Sequence, residues 1–126
     1  MTQISRNPVH KDVYYSIRDD LVWVFSELHS QEDTKVFFYE FFTKTERIML
    51  AKRLAVAMML HRGFIYRDIR DILHVSTSTI TGIATRLDQG GIGLKKIFDK
   101  LAREERMEVF WTKVNRALDR FSRLRK

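Results

Sequence analysis

The sequence predicts an all-α protein, and three observations carry that expectation. Helix breakers are scarce: of 126 residues one is proline, Pro8, and five are glycine, three of them gathered in "QGGIG" at 89–93. Apolar residues recur at steps of three and four, the period of a helix face rather than of a strand. Hydroxyl residues and glycine stand at the ends of these runs, where N-caps and C-caps belong.

In chain order, Val13, Ile17, Leu21, Val24 and Leu28 form one stripe of an amphipathic helix that starts near Pro8, a residue suited to a first turn. A short helix holding "VFFYEFF" at 36–42 follows. Five aromatics in seven residues exceed one narrow stripe, so burial on more than one side is expected. Thr43 and Thr45 offer N-caps for a long helix, with Glu46 placed as the capping-box partner of Thr43. That helix runs to Arg62 through "MLAKRLAVAMML", apolar almost all round apart from Lys52 and Arg53, and Gly63 terminates it. It should be the centre of the core. A short helix from Ile65 to Leu73, a second from Thr77, the "DQGGIG" turn and one last helix from Leu94 to Leu124 complete the chain. On the last, Met107, Phe110, Val114, Ala117, Phe121 and Leu124 alternate steps of three and four.

Composition narrows the chemistry. With no cysteine, disulfides, thiol nucleophiles and Cys-based zinc sites are excluded. His10, His29, His61 and His74 have no metal-ligand spacing, and "QGGIG" reads as a turn between helices rather than a phosphate cradle. Asp19 and Asp20, adjacent on a helix, point in different directions and make no catalytic pair. No catalytic residue, metal or cofactor is therefore expected. The opening "MTQISRNPVH" lacks the apolar centre of a signal peptide, and no apolar run is long enough to span a bilayer, so a cytoplasmic protein is expected. The net charge of +7 is unevenly placed. Residues 1–63 hold nine Lys/Arg against eight Asp/Glu, residues 64–94 three against three, and residues 95–126 eleven against five. Such a balance favours a polyanionic partner, although a solvated basic face gives the same figure.

The segment "HVSTSTITGIATRL", 74–87, places Ser76, Thr77, Ser78, Thr79, Thr81 and Thr85 within ten residues, hydroxyl types that form helices poorly. Ile80, Ile83, Ala84 and Leu87 nevertheless keep a helical spacing. With Ile69 and Leu73 before it and Val75 between, the arrangement is that of a helix-turn-helix, Ser76 serving as N-cap of the second helix. Once the apolar set faces inward, Thr77, Ser78, Thr81, Gly82, Thr85 and Arg86 face outward. Short hydroxyl side chains let a helix approach base edges, and a Thr methyl can meet a thymine methyl. The same face also satisfies simple solvation of an exposed helix. His74 stands in the turn where glycine is usual, a residue that tolerates left-handed geometry better than most. Gly82 weakens its helix by roughly 1 kcal/mol against alanine, or permits close approach to DNA.

From Phe42 to Leu87 the chain resembles the Trp repressor superfamily: "FTKTER" opens the long helix, "AKRLAVAMMLHRG" continues it, and "YRDIRDILHVSTSTITGIATRL" is similar to the DNA-reading pair of helices. "RLAVAMML", "STSTIT" and "RLDQGG" resemble most the Trp-repressor-like proteins of YerC/YecD type. The resemblance implies an intertwined homodimer that presents two reading heads to a palindromic double-stranded operator, with transcriptional repression as its activity. The single domain is expected to comprise N-terminal dimerisation helices and central helix (1–63), helix-turn-helix (64–88) and a basic amphipathic C-terminal helix (94–126). By position the resemblance implies that Arg67 reaches a base or phosphate and Arg70 a phosphate. Thr77, Ser78, Thr79 and Thr81 then form the recognition face, and Ser76, Gly82, Thr85 and Arg86 complete the DNA-binding set.

The family's tryptophan pocket uses a threonine and an arginine of the long helix, matched by Thr43 and Arg53. It also uses an arginine and a serine of the recognition helix, where this chain has Gly82 and Arg86, so tryptophan is not expected as corepressor. Lys113, Arg116, Arg120 and Arg123 each precede an apolar position of the last helix. That basic stripe fits a solvated flank, a contact with DNA phosphates, or an anionic membrane surface. The alternative from another class is a helical dimer that binds a protein or membrane through this helix; with DNA as partner, no membrane is expected.

Overall fold

The computed structural model describes residues 8–124, and the stretch 1–7 read for a leader lies outside them. Among the described residues there are seven α-helices and no strand: α1 (Lys11–Ser26), α2 (Gln31–Phe41), α3 (Lys44–His61), α4 (Tyr66–Leu73), α5 (Thr77–Gln89), α6 (Ile92–Ala102) and α7 (Arg106–Leu124). They form two compact units, one ending at Leu50 and one beginning at Ala51.

In the first unit, α1 starts later than Pro8 suggests. His10 is its N-cap, Nδ1 accepting from the Asp12 N–H at 3.3 Å, so Pro8 lies upstream of the first turn. α2 starts earlier than its aromatic run because Ser30 caps it, accepting from the Asp33 N–H at 3.0 Å. Phe25 of α1 meets Phe37 edge-on at 5.9 Å, and Phe37 stacks on Phe41 at 5.0 Å. Arg47 closes the end of α2, donating to the Phe42 carbonyl at 2.7 Å and the Tyr39 carbonyl at 3.2 Å. Even so, neither α1 nor α2 has a buried residue. The burial on several sides expected of "VFFYEFF" is not met within one chain: Phe41 is 59% exposed and Tyr39 57%.

The capping box that opens α3 forms as expected. Thr43 Oγ1 accepts from the Glu46 N–H at 3.1 Å, and the Thr43 N–H donates to Glu46 Oε1 at 2.9 Å. That backbone donor first, and the Thr43 side chain second, hold the Glu46 carboxyl below its ordinary range.

The core lies in the second unit. Val56 and Met59 of α3, Ile69 of α4 and Ile80 of α5 are fully buried, and Ala57, Ile83, Phe98 and Val114 join them in one cluster. α3 is thus the central helix only through its second half; Met49, Leu50 and Leu54 stay exposed. Gly63 follows α3 with φ +93, and the Phe64 N–H reaches back to the Met59 carbonyl at 3.0 Å.

The single helix expected from Leu94 to Leu124 is two, α6 and α7, broken at Arg103–Glu105. Phe98 and Met107 are both buried. In one straight helix they would lie about two and a half turns apart, on opposite faces. The break resolves that conflict, and short bonds carry the chain through it, from the Arg103 N–H to the Lys100 carbonyl and from the Glu104 N–H to the Leu101 carbonyl.

Two outcomes are expected. Ile69→Ala should destabilise the protein by about 2–5 kcal/mol in urea unfolding, because it opens a cavity where α4 enters the core. A depressed Glu46 pKa contributes stability that is present above the unfolded-state value and is lost as pH falls through the folded-state value. Glu46→Gln, which still accepts the Thr43 N–H, should therefore show a shallower acid-side fall in melting temperature.

Candidate nucleic-acid interface

The helix-turn-helix is built by α4 and α5, which pack directly on each other, while α4 also packs on α7. α4 spans only eight residues, too few to persist alone, so its direction is set by Ile69 in the core. His74 caps it in the left-handed conformation, φ 53 and ψ 52, and its N–H returns to the Arg70 carbonyl at 2.8 Å. The imidazole position thus adopts the geometry usually given to glycine. Lys52 of α3 donates from Nζ to the His74 carbonyl at 3.4 Å, tying the turn to the long helix.

Val75 packs on the core, and Ser76 then starts α5: its Oγ accepts from the Thr79 N–H at 3.2 Å. With Ile80 and Ile83 turned inward, Ser76, Thr77, Ser78, Thr79, Thr81, Gly82, Thr85 and Arg86 are all exposed. The alcohols are not equivalent. Ser76 Oγ shares hydrogen bonds with Thr79 Oγ1 at 2.9 Å and Ser78 Oγ at 3.3 Å, forming a small hydroxyl cluster over the N-terminus of α5. Thr79, which periodicity leaves at the edge of the face, belongs to that cluster. Thr85 Oγ1 donates to the Thr81 carbonyl at 2.9 Å, leaving its lone pairs and methyl outward. A Cβ built on Gly82 meets nothing within 4 Å, so no contact inside the chain requires glycine there.

Arg67 and Arg70 lie on α4, exposed, each beside the next residue's carboxylate: Arg67 Nε is 4.0 Å from Asp68 and Arg70 Nε 3.4 Å from Asp71. Thr43 lies in the first unit and Arg53 in the second. Thr43 spends its hydroxyl on the α3 cap, and Arg53 is exposed. A cleft of about 640 Å³ lined by Met58, Arg62, Phe98 and Trp111 contains neither. Lys52 was missed as a positioning residue; its signal is its interruption of an otherwise apolar run. Among the described residues no group of three or more His, Asp or Glu is placed to hold a metal, and no helix is long and apolar enough to cross a membrane.

Comparison with known proteins gives one match: the family model described as Trp repressor protein aligns with residues 18–102, more than half the chain and the whole of α4 and α5. The chain belongs to the Trp repressor family. That family is one of all-α, DNA-binding helix-turn-helix transcription regulators. No curated protein and no solved structure matches the chain. The Trp repressor match ends with the last residue of α6, and α7 lies beyond it.

Two substitutions probe this geometry. Ser76→Ala should lower stability by about 1 kcal/mol through loss of the α5 cap. His74→Gly should raise it, since left-handed strain of about 1–2 kcal/mol is relieved and only part is returned as unfolded-chain entropy. Thermal melts followed by circular dichroism read both.

Proposed function

We propose that the chain is a sequence-specific regulator of transcription, a repressor, that reads the major groove of double-stranded DNA with α5. The observation that carries this reading is the outward, charge-poor alcohol surface of α5, held by inward isoleucines on a helix-turn-helix of the Trp repressor family. Thr77, Ser78, Thr79 and Thr81 are the base-facing set, and Gly82 lets the α5 backbone approach the groove. Ser76 holds the first turn for them. Arg67, Arg70, Thr85 and Arg86 flank that face and contact phosphates or the groove edge.

The active form is a homodimer on a palindromic operator. Support comes from α1 and α2, whose Val22, Trp23, Val36, Tyr39 and Phe41 are each more than half exposed in one chain, an apolar area of the sort a second copy covers. Tryptophan is not the corepressor in this reading, because Gly82 stands where the family's second arginine would face the indole, and Arg86 stands where it has a serine. Thr43 and Arg53 remain the residues to test for any other effector. The protein acts in the cytoplasm, without cofactor or metal.

Selection of bound duplexes from a random pool, followed by fluorescence anisotropy on the winner, tests the reading. A consensus with two-fold symmetry is expected. Thr81→Ala should weaken the selected duplex by about 1 kcal/mol, a lost neutral hydrogen bond, and relax one position of the consensus. Arg67→Ala should lower the slope of log affinity against log salt by about 1.8, one phosphate contact being lost from each protomer. Gly82→Ala should do two opposite things, raising stability by about 1 kcal/mol while weakening duplex binding. Equal affinity for selected and scrambled duplexes would refute the reading.

A further inference from the structure

The reading head carries little net charge. Residues 64–94, which hold α4 and α5, contain three Lys/Arg and three Asp/Glu, and the two arginines of α4 each sit beside a carboxylate. Such a head can discriminate bases, but release of counterions from phosphates, the term that drives much of duplex affinity, needs uncompensated cations. The excess lies in residues 95–126, with eleven Lys/Arg against five Asp/Glu.

We propose that α7 supplies that term: Lys113, Arg116, Arg120 and Arg123 form a phosphate-contacting face that lies along the duplex beside the segment read by α5. The inference rests on the reading of α5 as the DNA-reading helix and goes beyond it, since α7 lies outside the family match. The four residues step by three, four and three, which puts them on one side of the helix. The other side is the one that enters the core, through Met107 and Val114 with Phe110, Trp111 and Leu118. All four cations are exposed, and among the described residues no ion pair engages any of them.

Arg116, Arg120 and Arg123 frame an open concavity of about 450 Å³ with Asp119 and Leu124. From Lys113 to Arg123 the stripe runs about 15 Å at the helical rise. One strand of a duplex presents a phosphate about every 3.4 Å along its axis, so the stripe can address about four. The attachment is direct: α7 packs on α4 within one compact unit, so the basic face travels with the reading head. Charge complementarity thus commits the face to the DNA backbone.

The test compares the full chain with three variants on the selected duplex, by anisotropy across a potassium chloride series. The triple variant Arg116→Gln, Arg120→Gln, Arg123→Gln, which removes three cations from each protomer of the dimer, should lower the salt slope by about 5, leave the ranking of duplex sequences as it was, and melt like the wild type. The triple Arg→Lys variant should restore the slope. Thr81→Ala should change the ranking and not the slope. An unchanged slope in the triple Gln variant overturns the role of α7 while leaving α5 in place. So does a triple Gln variant that keeps its duplex slope but loses binding to vesicles of phosphatidylserine and phosphatidylcholine, or one whose sedimenting mass falls. Absence of any duplex binding by the wild type overturns the reading of α5, and this inference with it.

Discussion

The contact on which the rest depends is the burial of Ile69 against the isoleucines of α5. α4 is eight residues long and α5 is rich in hydroxyls with a glycine at its centre, so neither holds its form by local propensity. Ile69, Ile80 and Ile83 enter one cluster with Val56 and Met59 of α3, Phe98 of α6 and Val114 of α7. Turning those side chains inward leaves the alcohols no direction but outward. The exposed chemistry of α5 is therefore a consequence of packing on its opposite side, and its orientation is as rigid as that cluster.

Charge follows a different logic from shape. α4 and α5 are electrically balanced, the two arginines of α4 each beside the next residue's carboxylate, while basic groups accumulate in α6 and α7. A balanced head limits indiscriminate adhesion to polyanions, because only contacts that fit the groove remain favourable there. Uncompensated cations placed on a neighbouring helix of the same unit add attraction that is indifferent to sequence. On the reading proposed above, affinity and discrimination are carried by different helices with a common core.

The elements legible in the sequence are those whose signals are local. Thr43 with Glu46, Ser76 before Thr77, and Gly63 after the long helix announce caps by residue type alone, and each forms as its neighbours dictate. The outward hydroxyl face was readable for the same reason, since Ile80 and Ile83 fix its phase. The break between α6 and α7 was not, because "REER" contains no proline or glycine and its residues favour helix. Only the joint burial of Phe98 and Met107 imposes it, and that is a tertiary demand. Lys52 escaped notice similarly, as its partner is the carbonyl of His74, twenty-two residues away. The hydroxyl cluster of Ser76, Ser78 and Thr79 depends on side-chain rotamers that spacing does not encode.

The unit formed by α1 and α2 has aromatic contacts but no buried residue. Its residues are synthesised before those of the second unit, and they leave the ribosome before the core of that unit exists to fold. The nascent chain thus passes through a stage with Trp23, Phe25 and Phe41 open to water, the type of surface that chaperones bind and that clumps when it is left waiting. Slow translation or scarce product prolongs that interval.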